Sequence, residues 1–380
     1  MAIENRHEGA SLSAKRLVEV LDHVFNTNSA IEKADKTGGT KGVPVCIWGP
    51  HGIGKTEIVK DYAQQHGWQF AYCPVAQFQE FGDLHGLPAI VDPDETIIGD
   101  EYTVFRPPDW VPRVKGPGIL LLDDINRADD RILRGLMQLL QYFSLVSWAL
   151  PPQWQIVATA NPEGGDYSVT PMDDAMLTRM IHFSLAFEPK VWASWATRKG
   201  IDRRGITFVL AYPECVTGKR TTARSLVQFF DMIKPIENLK TNSDIVLSLA
   251  RGCLDESTAV AFLTFATSEL EKLPDPSELL FVADFAKIKK KLQDLVTAPK
   301  GGRRIDKLSV FMTRLLLEMQ NPKFSAAKAN KENLVKFLLM EEIPNDLRYA
   351  FWLDVSAIES ESVRALLRDK RLAVMTLKGL

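Results

Sequence analysis

Residues 49–56, written GPHGIGKT, constrain this chain more than any other part of its sequence. They fit the phosphate-binding loop pattern GxxxxGK[ST] and stand between an apolar run, 43–48, and a helix-like segment, 57–66. Glycines in such a loop let backbone N–H groups turn towards an anion, and the next helix adds partial positive charge. The sequence therefore predicts a nucleoside triphosphate site in a strand–loop–helix unit.

Two residues of the loop are predicted to carry most of its chemistry. Lys55 is expected to reach the β- and γ-phosphates, and the Thr56 hydroxyl to ligate Mg²⁺. The other predicted nucleotide contacts are Gly49, Pro50, His51, Gly52, Ile53, Gly54 and Glu57.

A second apolar strand, in the segment 118–127 (GILLLDDINR), delivers two acids at its end. Phosphate-loop enzymes use such acids to hold Mg²⁺ and to position the attacking water. Asp123 is therefore the candidate magnesium residue, acting through the water shell of the ion. Asp124 is the candidate for polarising the nucleophilic water.

A third strand, in the segment 154–162 (WQIVATANP), ends in the amide of Asn161. A neutral amide both donates and accepts, so Asn161 is a candidate partner for the γ-phosphate or the water. The alternative is an asparagine that only begins a turn before Pro162.

The first half of the chain alternates strands with helices, which predicts an α/β fold with a parallel sheet covered on both faces. The predicted strands are 43–48, 68–74, 119–123, 155–160 and 181–185, and the predicted helices are 13–25, 57–66, 129–143 and 171–179. After about residue 187 the strand signal disappears. Helices are then predicted at 189–199, 203–211, 221–233, 245–251, 256–272, 277–296, 305–319, 326–340 and 345–357.

The order of these motifs resembles that of the AAA+ ATPases, specifically the MoxR family, over about residues 43–233. The distinctive segments are GDLHGLP (82–88), TVFRPPDWVPR (103–113), LLLDDINRADD (120–130) and ATANPEGGDYSVTPMDDAMLTRM (158–180). The resemblance implies an AAA+ αβα domain at 1–187, an all-α lid at 188–272 and an α-helical C-terminal extension at 273–380. Residues 144–152 resemble the hairpin that precedes sensor 1 in this family.

The resemblance also assigns roles to single residues. Asn161 is similar to sensor 1, and Arg179 to the arginine finger that reaches the ATP of a neighbouring subunit. Arg224, in TTARS, is similar to sensor 2, although the family often has Ser-Pro-Arg there and Arg220 is the alternative.

For function, the resemblance implies an ATPase that binds Mg-ATP between subunits of an oligomeric ring, most often a hexamer. The usual work of the family is chaperone-like remodelling or activation of protein complexes. Its members often act beside a partner that bears a von Willebrand factor A domain.

One departure from the family leaves a second function open. The usual acidic pair is Asp-Glu, whereas here it is Asp123-Asp124, and aspartate is shorter by one methylene. Misplacement by about 1 Å can lower a rate on the order of 10²-fold. The alternative is therefore an ATP-gated assembly scaffold with little hydrolysis of its own.

A third reading is a nucleic-acid-dependent motor or clamp-loader-like ATPase, based on a local run of basic residues. Asp284 and Asp294 interrupt this run, and no aromatic residues alternate with the lysines, so a solvated helix face is the favoured interpretation. The basic residues are Lys287, Lys289, Lys290, Lys291, Lys300, Arg303 and Arg304.

Composition narrows the setting. The 380 residues are 46% hydrophobic and 25% charged, values typical of an ordinary globular protein. The net charge of −2 does not favour binding to nucleic acid. No apolar run approaches the roughly 20 residues that span a bilayer, and the N-terminus lacks a secretory apolar core. The four cysteines are widely spaced without a CxxC pair, which predicts free thiols and a cytoplasmic, reducing location without a membrane.

Overall fold

The computed structural model describes residues 9–35, 41–91, 101–162, 169–216, 219–267, 273–281, 284–296, 305–321 and 324–372. Contacts within the chain divide it into two compact units, Met1–Glu188 and Pro189–Leu380. Among the described residues, no helix is both long and apolar enough to cross a bilayer.

The N-terminal unit is built on a six-stranded, wholly parallel sheet with the strand order β1-β10-β2-β9-β6-β3. Two small antiparallel hairpins, β4–β5 and β7–β8, stand outside this sheet. The strands are β1 Ala10–Ser13, β2 Val45–Trp48, β3 Gln69–Cys73, β4 Leu87–Val91, β5 Tyr102–Arg106, β6 Gly118–Leu122, β7 Ser144–Leu145, β8 Trp148–Ala149, β9 Trp154–Ala160 and β10 Ile181–Ala186.

In the described part of this unit, five α-helices accompany these strands. They are α1 Ala14–Ala34, α2 Lys55–Gln65, α3 Phe81–His85, α4 Asp130–Tyr142 and α5 Asp174–Leu177. Short polar side chains begin several of them: Ser13 accepts from the Arg16 N–H at α1, and Asp129 accepts from the Arg131 N–H at α4.

Both faces of the sheet are buried, because successive residues of a strand point to opposite sides. In β6, Ile119 and Leu121 face one core, which also holds residues of α1 and α2. Leu120 and Leu122 face the other core, which holds residues of α4. Strands β2, β6 and β9 are buried along their whole length, so the near-continuous apolar runs were correctly interpreted as parallel strands.

Several elements of this unit differ from the prediction. Helix α1 extends to Ala34, well beyond the end at residue 25 that the sequence predicts. Strand β1, helix α3 and the β4–β5 hairpin were not predicted; they are short or largely exposed, so their apolar pattern is weak. The predicted hairpin at 144–152 is confirmed by the pairing of β7 with β8.

The described part of the C-terminal unit contains helices and no strand. Its helices are α6 Pro189–Lys199, α7 Arg203–Ala211, α8 Ala223–Ile233, α9 Ser243–Cys253, α10 Glu256–Thr267, α11 Pro276–Phe281, α12 Phe285–Val296, α13 Ile305–Met319, α14 Lys331–Leu338, α15 Asn345–Ser356 and α16 Glu361–Arg364. A buried aromatic cluster joins α7, α8 and α10, formed by Phe208, Phe229, Phe230, Phe262 and Phe265.

Two predicted helices of this unit are wrong in their bounds. The single helix expected at 277–296 corresponds to α11 and α12, with residues 282–283 outside the described part of the chain. The helix expected at 326–340 is a short 3₁₀ turn, Ala326–Lys328, followed by α14. The proposed division into a lid and an extension at residue 273 stays a prediction.

All four cysteines are free thiols, as predicted. Burial raises the pKa of the Cys46 and Cys73 thiols well above their ordinary value, so neither behaves as a nucleophile at neutral pH.

Candidate active site

The phosphate-loop segment connects the end of β2 to the start of α2. Gly52 and Gly54 have φ values of 69° and 109°, which lie in the region that favours glycine. The backbone N–H of Gly49 donates to Ala160 O at 3.2 Å, so the loop begins tied to the end of β9. The GxxxxGK[ST] segment therefore has the strand–loop–helix setting that the sequence predicted.

Lys55 is buried at the base of this loop, with 6% of its surface exposed. Its Nζ donates to Gly49 O at 2.6 Å, to Pro50 O at 3.3 Å and to Asn161 Oδ1 at 3.1 Å. The ammonium group is therefore held against the loop backbone and linked to the predicted sensor 1 residue.

Asp123 follows β6 directly and is held through both oxygens of its carboxylate. Oδ1 accepts from Thr56 Oγ1 at 2.9 Å and from Thr159 Oγ1 at 2.7 Å. Oδ2 accepts from the Tyr72 hydroxyl at 3.0 Å. Burial is the main cause that raises the pKa of Tyr72 to about 12, and the negative charge of Asp123 is the second. The two predicted magnesium residues, Thr56 and Asp123, are thus in direct contact.

Asp124 has a left-handed backbone conformation, with φ 50° and ψ 47°. Aspartate tolerates this region better than most residues that carry a Cβ. Its N–H donates to Thr159 Oγ1 at 2.8 Å, and its Oδ1 accepts from Asn161 Nδ2 at 2.9 Å. Arg127 Nε lies 3.8 Å from Oδ2. The second acid is therefore fixed through both its backbone and its side chain.

Asn161 is fully buried and is clamped by a second asparagine, Asn126. Asn126 Nδ2 donates to Asn161 O at 2.7 Å, and the Asn161 N–H donates to Asn126 Oδ1 at 3.0 Å. This pair joins the loop after β6 to the end of β9. It follows that Asn161 is more than the start of a turn, because its side chain contacts both Lys55 and Asp124.

The remaining residues predicted to contact nucleotide flank Lys55 and Thr56 in the chain. Pro50, His51, Ile53 and Glu57 are partly exposed, and Glu57 lies in the first turn of α2. Ile53 also packs against the core that contains residues of α1 and α2, and this contact holds the loop against the domain.

Arg179 follows α5 and stays within its own unit. Its Nε donates to Gln141 Oε1 at 3.1 Å, and its Nη1 donates to Ala175 O. The structure therefore places it outside the cluster formed by Lys55, Asp123 and Asp124, and its predicted role towards a neighbouring subunit stays a prediction.

The two sensor 2 candidates belong to the C-terminal unit. Arg224 is exposed in the first turn of α8, and the described residues offer it no hydrogen bond or ion pair. Arg220 donates from Nη2 to Gly252 O at 2.9 Å, which occupies part of its guanidinium group. Neither arginine is assigned a role by this geometry.

The residues of this centre fit Mg-ATP. The glycine backbone at 52 and 54 and the buried ammonium of Lys55 suit a polyphosphate, since both present positive charge or N–H donors. The hydroxyl of Thr56 beside the carboxylate of Asp123 offers the oxygen donors that Mg²⁺ prefers.

The sequence reasoning missed three residues of the site: Tyr72, Asn126 and Thr159. Thr159 could have been found, because it lies two positions before Asn161 and residues so spaced share one face of a strand. Tyr72 and Asn126 had no such signal, since their contacts depend on which strands are neighbours in the sheet.

Comparison with known proteins agrees with this geometry. Residues 44–180 match the family model of the AAA domain (dynein-related subfamily). The sequence matches none of the curated proteins with which it was compared. Together with the strand order and the phosphate loop, the match makes this stretch an AAA+ nucleotide-binding domain, which confirms the predicted fold class.

Among solved structures, the chain is similar to several of RuvB from Thermotoga maritima. For one mutant form of that protein the identity is 12% and the TM-score 0.40, covering 77% of this chain and 86% of that chain. For the structure described as the Holliday junction branch migration motor the identity is 14% and the TM-score 0.37, covering 78% and 86%. Similarities of this size carry no conclusion about the function of this chain.

Proposed function

We propose that this chain is an ATP hydrolase of the AAA+ class and that it works as a MoxR-like oligomeric ring. The observation that carries the proposal is the series Lys55–Asn161–Asp124, in which one buried amide bonds to both charged groups. It brings a phosphate-binding cation, a polar sensor and a candidate base into one connected centre.

Substrate binding falls to the loop and its lysine. Backbone N–H groups of residues 51–54 and the Lys55 ammonium bind the polyphosphate, and Lys55 exchanges its carbonyl partners for phosphate oxygens. Because the ammonium is buried, its attraction for an anion is less screened by water than that of a surface lysine.

Thr56 and Asp123 would hold Mg²⁺, which supplies neutralisation of the charge that develops on the phosphates. Thr159 and Tyr72 orient the Asp123 carboxylate through its two oxygens. These hydrogen bonds keep Asp123 beside Thr56 before any ligand arrives.

Asp124 accepts the proton of the attacking water, and Asn161 positions both that water and the γ-phosphate. The hydrogen bond from Asn161 Nδ2 leaves the second oxygen of Asp124 for the water, provided that Arg127 at 3.8 Å does not close on it. The site as a whole therefore supports general-base hydrolysis.

The ring and its partners rest on the resemblance to the MoxR family. In this proposal Arg179 leaves Gln141 and Ala175 and stabilises the charge on the γ-phosphoryl group bound by the next subunit. Arg224, or alternatively Arg220, acts from the helical lid at 188–272, and a helical extension follows at 273–380. The work of the ring is remodelling of a partner protein complex in the cytoplasm, with a von Willebrand factor A domain protein as the candidate partner.

The test is steady-state Mg-ATP hydrolysis by the purified chain over a range of protein concentrations, with Arg179→Ala and Lys55→Ala measured alongside. We expect the rate per chain to rise with concentration, because the site is completed by assembly. Arg179→Ala should lower it by about 10³-fold while ATP still binds. Lys55→Ala should remove binding itself. A rate per chain that is independent of concentration, with Arg179→Ala fully active, would refute the ring ATPase.

The ATP-gated scaffold remains the second candidate, and one observation favours it. Both oxygens of Asp124 lie near donors, Asn161 at 2.9 Å and Arg127 at 3.8 Å, and these donors compete with the attacking water for the carboxylate. In that case the chain binds ATP tightly and assembles with negligible turnover.

Asp124→Glu separates the two candidates. A large gain in hydrolysis would support a site adapted to hold ATP, and the scaffold would replace the hydrolase. No gain, with Asp124→Asn lowering the rate by about 10²-fold, would support Asp124 as the working base.

A further inference from the structure

Trp48 links the nucleotide-binding strand to a residue outside the candidate site. It is the last residue of β2, directly before Gly49, and only 3% of its surface is exposed. Its indole Nε1 lies 2.9 Å from Nδ1 of His182 in β10. An indole N–H can only donate, so Nδ1 of His182 must be the acceptor.

The other ring nitrogen of His182 faces a different element. Nε2 lies 2.7 Å from Leu177 O, at the last residue of α5. A backbone carbonyl can only accept, so Nε2 carries the proton. The two partners together fix His182 as the neutral tautomer protonated at Nε2, with each nitrogen committed to one side.

The carbonyl that His182 contacts begins the turn that contains Arg179. Leu177 O also accepts the Met180 N–H at 3.3 Å, and the Arg179 N–H donates to Met176 O at 3.1 Å. Arg179 therefore lies within a short turn whose first carbonyl is held by the imidazole. The candidate active site described above gives the contact between His182 and Leu177 O no role.

We propose that His182 is a positioning residue: its Nε2–H holds the Arg179 turn at Leu177 O, and Trp48, at the end of β2, keeps the imidazole in the tautomer that donates there. Trp48 in this way connects the turn of Arg179, the arginine proposed to reach a neighbouring subunit, to the strand that leads into the subunit's own phosphate loop. This inference rests on the proposed role of Arg179 between subunits.

Substitutions at His182 can separate the two bonds. Asparagine places its Oδ1 near the position of Nδ1 and so keeps an acceptor for Trp48. Glutamine places its Nε2 near the position of the imidazole Nε2 and so keeps a donor for Leu177 O. A residue that only fills space would show no difference between the two. Phenylalanine, which keeps a ring and removes both nitrogens, is the full deletion.

The experiment uses mixed assemblies of the full chain. Arg179→Ala chains keep a working loop but lack the arginine, whereas Lys55→Ala chains lack the loop but keep the arginine. Mixed together, they hydrolyse ATP only where a Lys55→Ala chain supplies its arginine to an Arg179→Ala neighbour. The His182 substitutions are placed in the Lys55→Ala chain, so they cannot act on the loop that binds the nucleotide.

We expect His182→Asn and His182→Phe in the donor chain to lower hydrolysis by the mixture by about 10-fold or more, since the arginine is displaced. His182→Gln should stay within about threefold of the parent mixture. A readout independent of activity is hydrogen–deuterium exchange of the segment that contains Met180, which should quicken in His182→Asn and not in His182→Gln.

Equal activity of the asparagine and glutamine donors, with equal exchange at Met180, would overturn the inference and leave the ring ATPase standing. Full hydrolysis by the mixture with the His182→Phe donor would do the same. If Arg179→Ala alone hydrolyses ATP as fast as the unmodified chain, the proposed function fails and the inference fails with it. If His182→Phe does not fold, the asparagine and glutamine pair decides the matter.

Discussion

The side-chain amide of Asn161 donates a 2.9 Å hydrogen bond to the carboxylate of Asp124, while its oxygen accepts from Lys55 at 3.1 Å. One buried amide therefore contacts both the ammonium group proposed to bind phosphate and the carboxylate proposed to accept a proton. A γ-phosphate drawn to Lys55 would change the partners of Asn161, and with them the hydrogen bonding of Asp124.

Asn161→Ala is expected to lower ATP hydrolysis by about 10²- to 10³-fold, because the water and Asp124 lose a shared orienting group. Binding should weaken by less than about tenfold, since Lys55 and the loop remain. Isothermal titration with a non-hydrolysable ATP analogue and steady-state hydrolysis measure the two effects. Parallel losses in binding and turnover would contradict a positioning role.

Thr159→Val is expected to destabilise the N-terminal unit by about 1–3 kcal/mol, because the partly buried N–H of Asp124 loses its acceptor. The change replaces the hydroxyl with a methyl group of similar size. Thr159→Ser, which keeps the hydroxyl, is the matched control and should retain most of the stability. Urea denaturation of the full chain is the measurement, and equal midpoints for valine and serine would refute the prediction.

Tyr72→Phe is expected to raise the Mg²⁺ concentration needed for half-maximal hydrolysis by about two- to tenfold, since Asp123 loses one of its orienting donors. The maximal rate should change little. Tyr102→Phe, at an exposed tyrosine of the β4–β5 hairpin, serves as the control. An unchanged Mg²⁺ dependence would mean that Thr56 and Thr159 suffice to orient the carboxylate.

His85 should make the stability of the N-terminal unit sensitive to acid. Its ring stacks on Phe81 and meets the edge of Phe105, and burial lowers its pKa below the ordinary value of 6.5. The unfolded chain therefore binds a proton at a higher pH than the folded one. Stability from the neutral ring is present above about pH 6.5 and is lost as the pH falls towards the folded pKa.

Urea denaturation between about pH 7.5 and about pH 5 measures this effect. His85→Gln should flatten the decline, whereas His23→Gln, on the exposed side of α1, should leave it in place. The same decline in the His85→Gln chain would show that other groups govern the response.

The parts of this molecule that the sequence predicts best are those whose evidence is local. The phosphate loop, the acids after β6 and Asn161 each follow a buried apolar strand, so hydrophobic runs and short motifs suffice to place them. Tyr72, Asn126 and His182 contact partners that lie in, or directly after, strands distant in the chain. Their roles depend on the order β10-β2-β9-β6-β3, which no single segment encodes.

The weakest predictions concerned elements that bury little surface. Leu87 and Ile90 of the β4–β5 hairpin are 73% and 77% exposed. Apolar residues on an exposed strand do not alternate with polar ones as they do on a half-buried strand, so the sequence carries no strand signal here. The long helix expected at 277–296 followed a helical pattern that does not register the separation of α11 from α12. Packing decides which side chains are exposed and where a helix ends, and the periodicity of apolar residues in the sequence does not report either.

Strand β1 has a consequence for assembly. Because Ala10–Ser13 pairs in parallel with Phe183–Ala186, strand β10 is hydrogen-bonded along both edges, to β1 on one side and to β2 on the other. The strand that follows Arg179 therefore has no free backbone with which to join the sheet of another subunit. In the described sheet the outer edge of β1 is the one left for backbone pairing on this side, so the segment around Arg179 would meet a neighbouring chain through side chains and turns, a kind of contact that could form and part without unravelling the sheet.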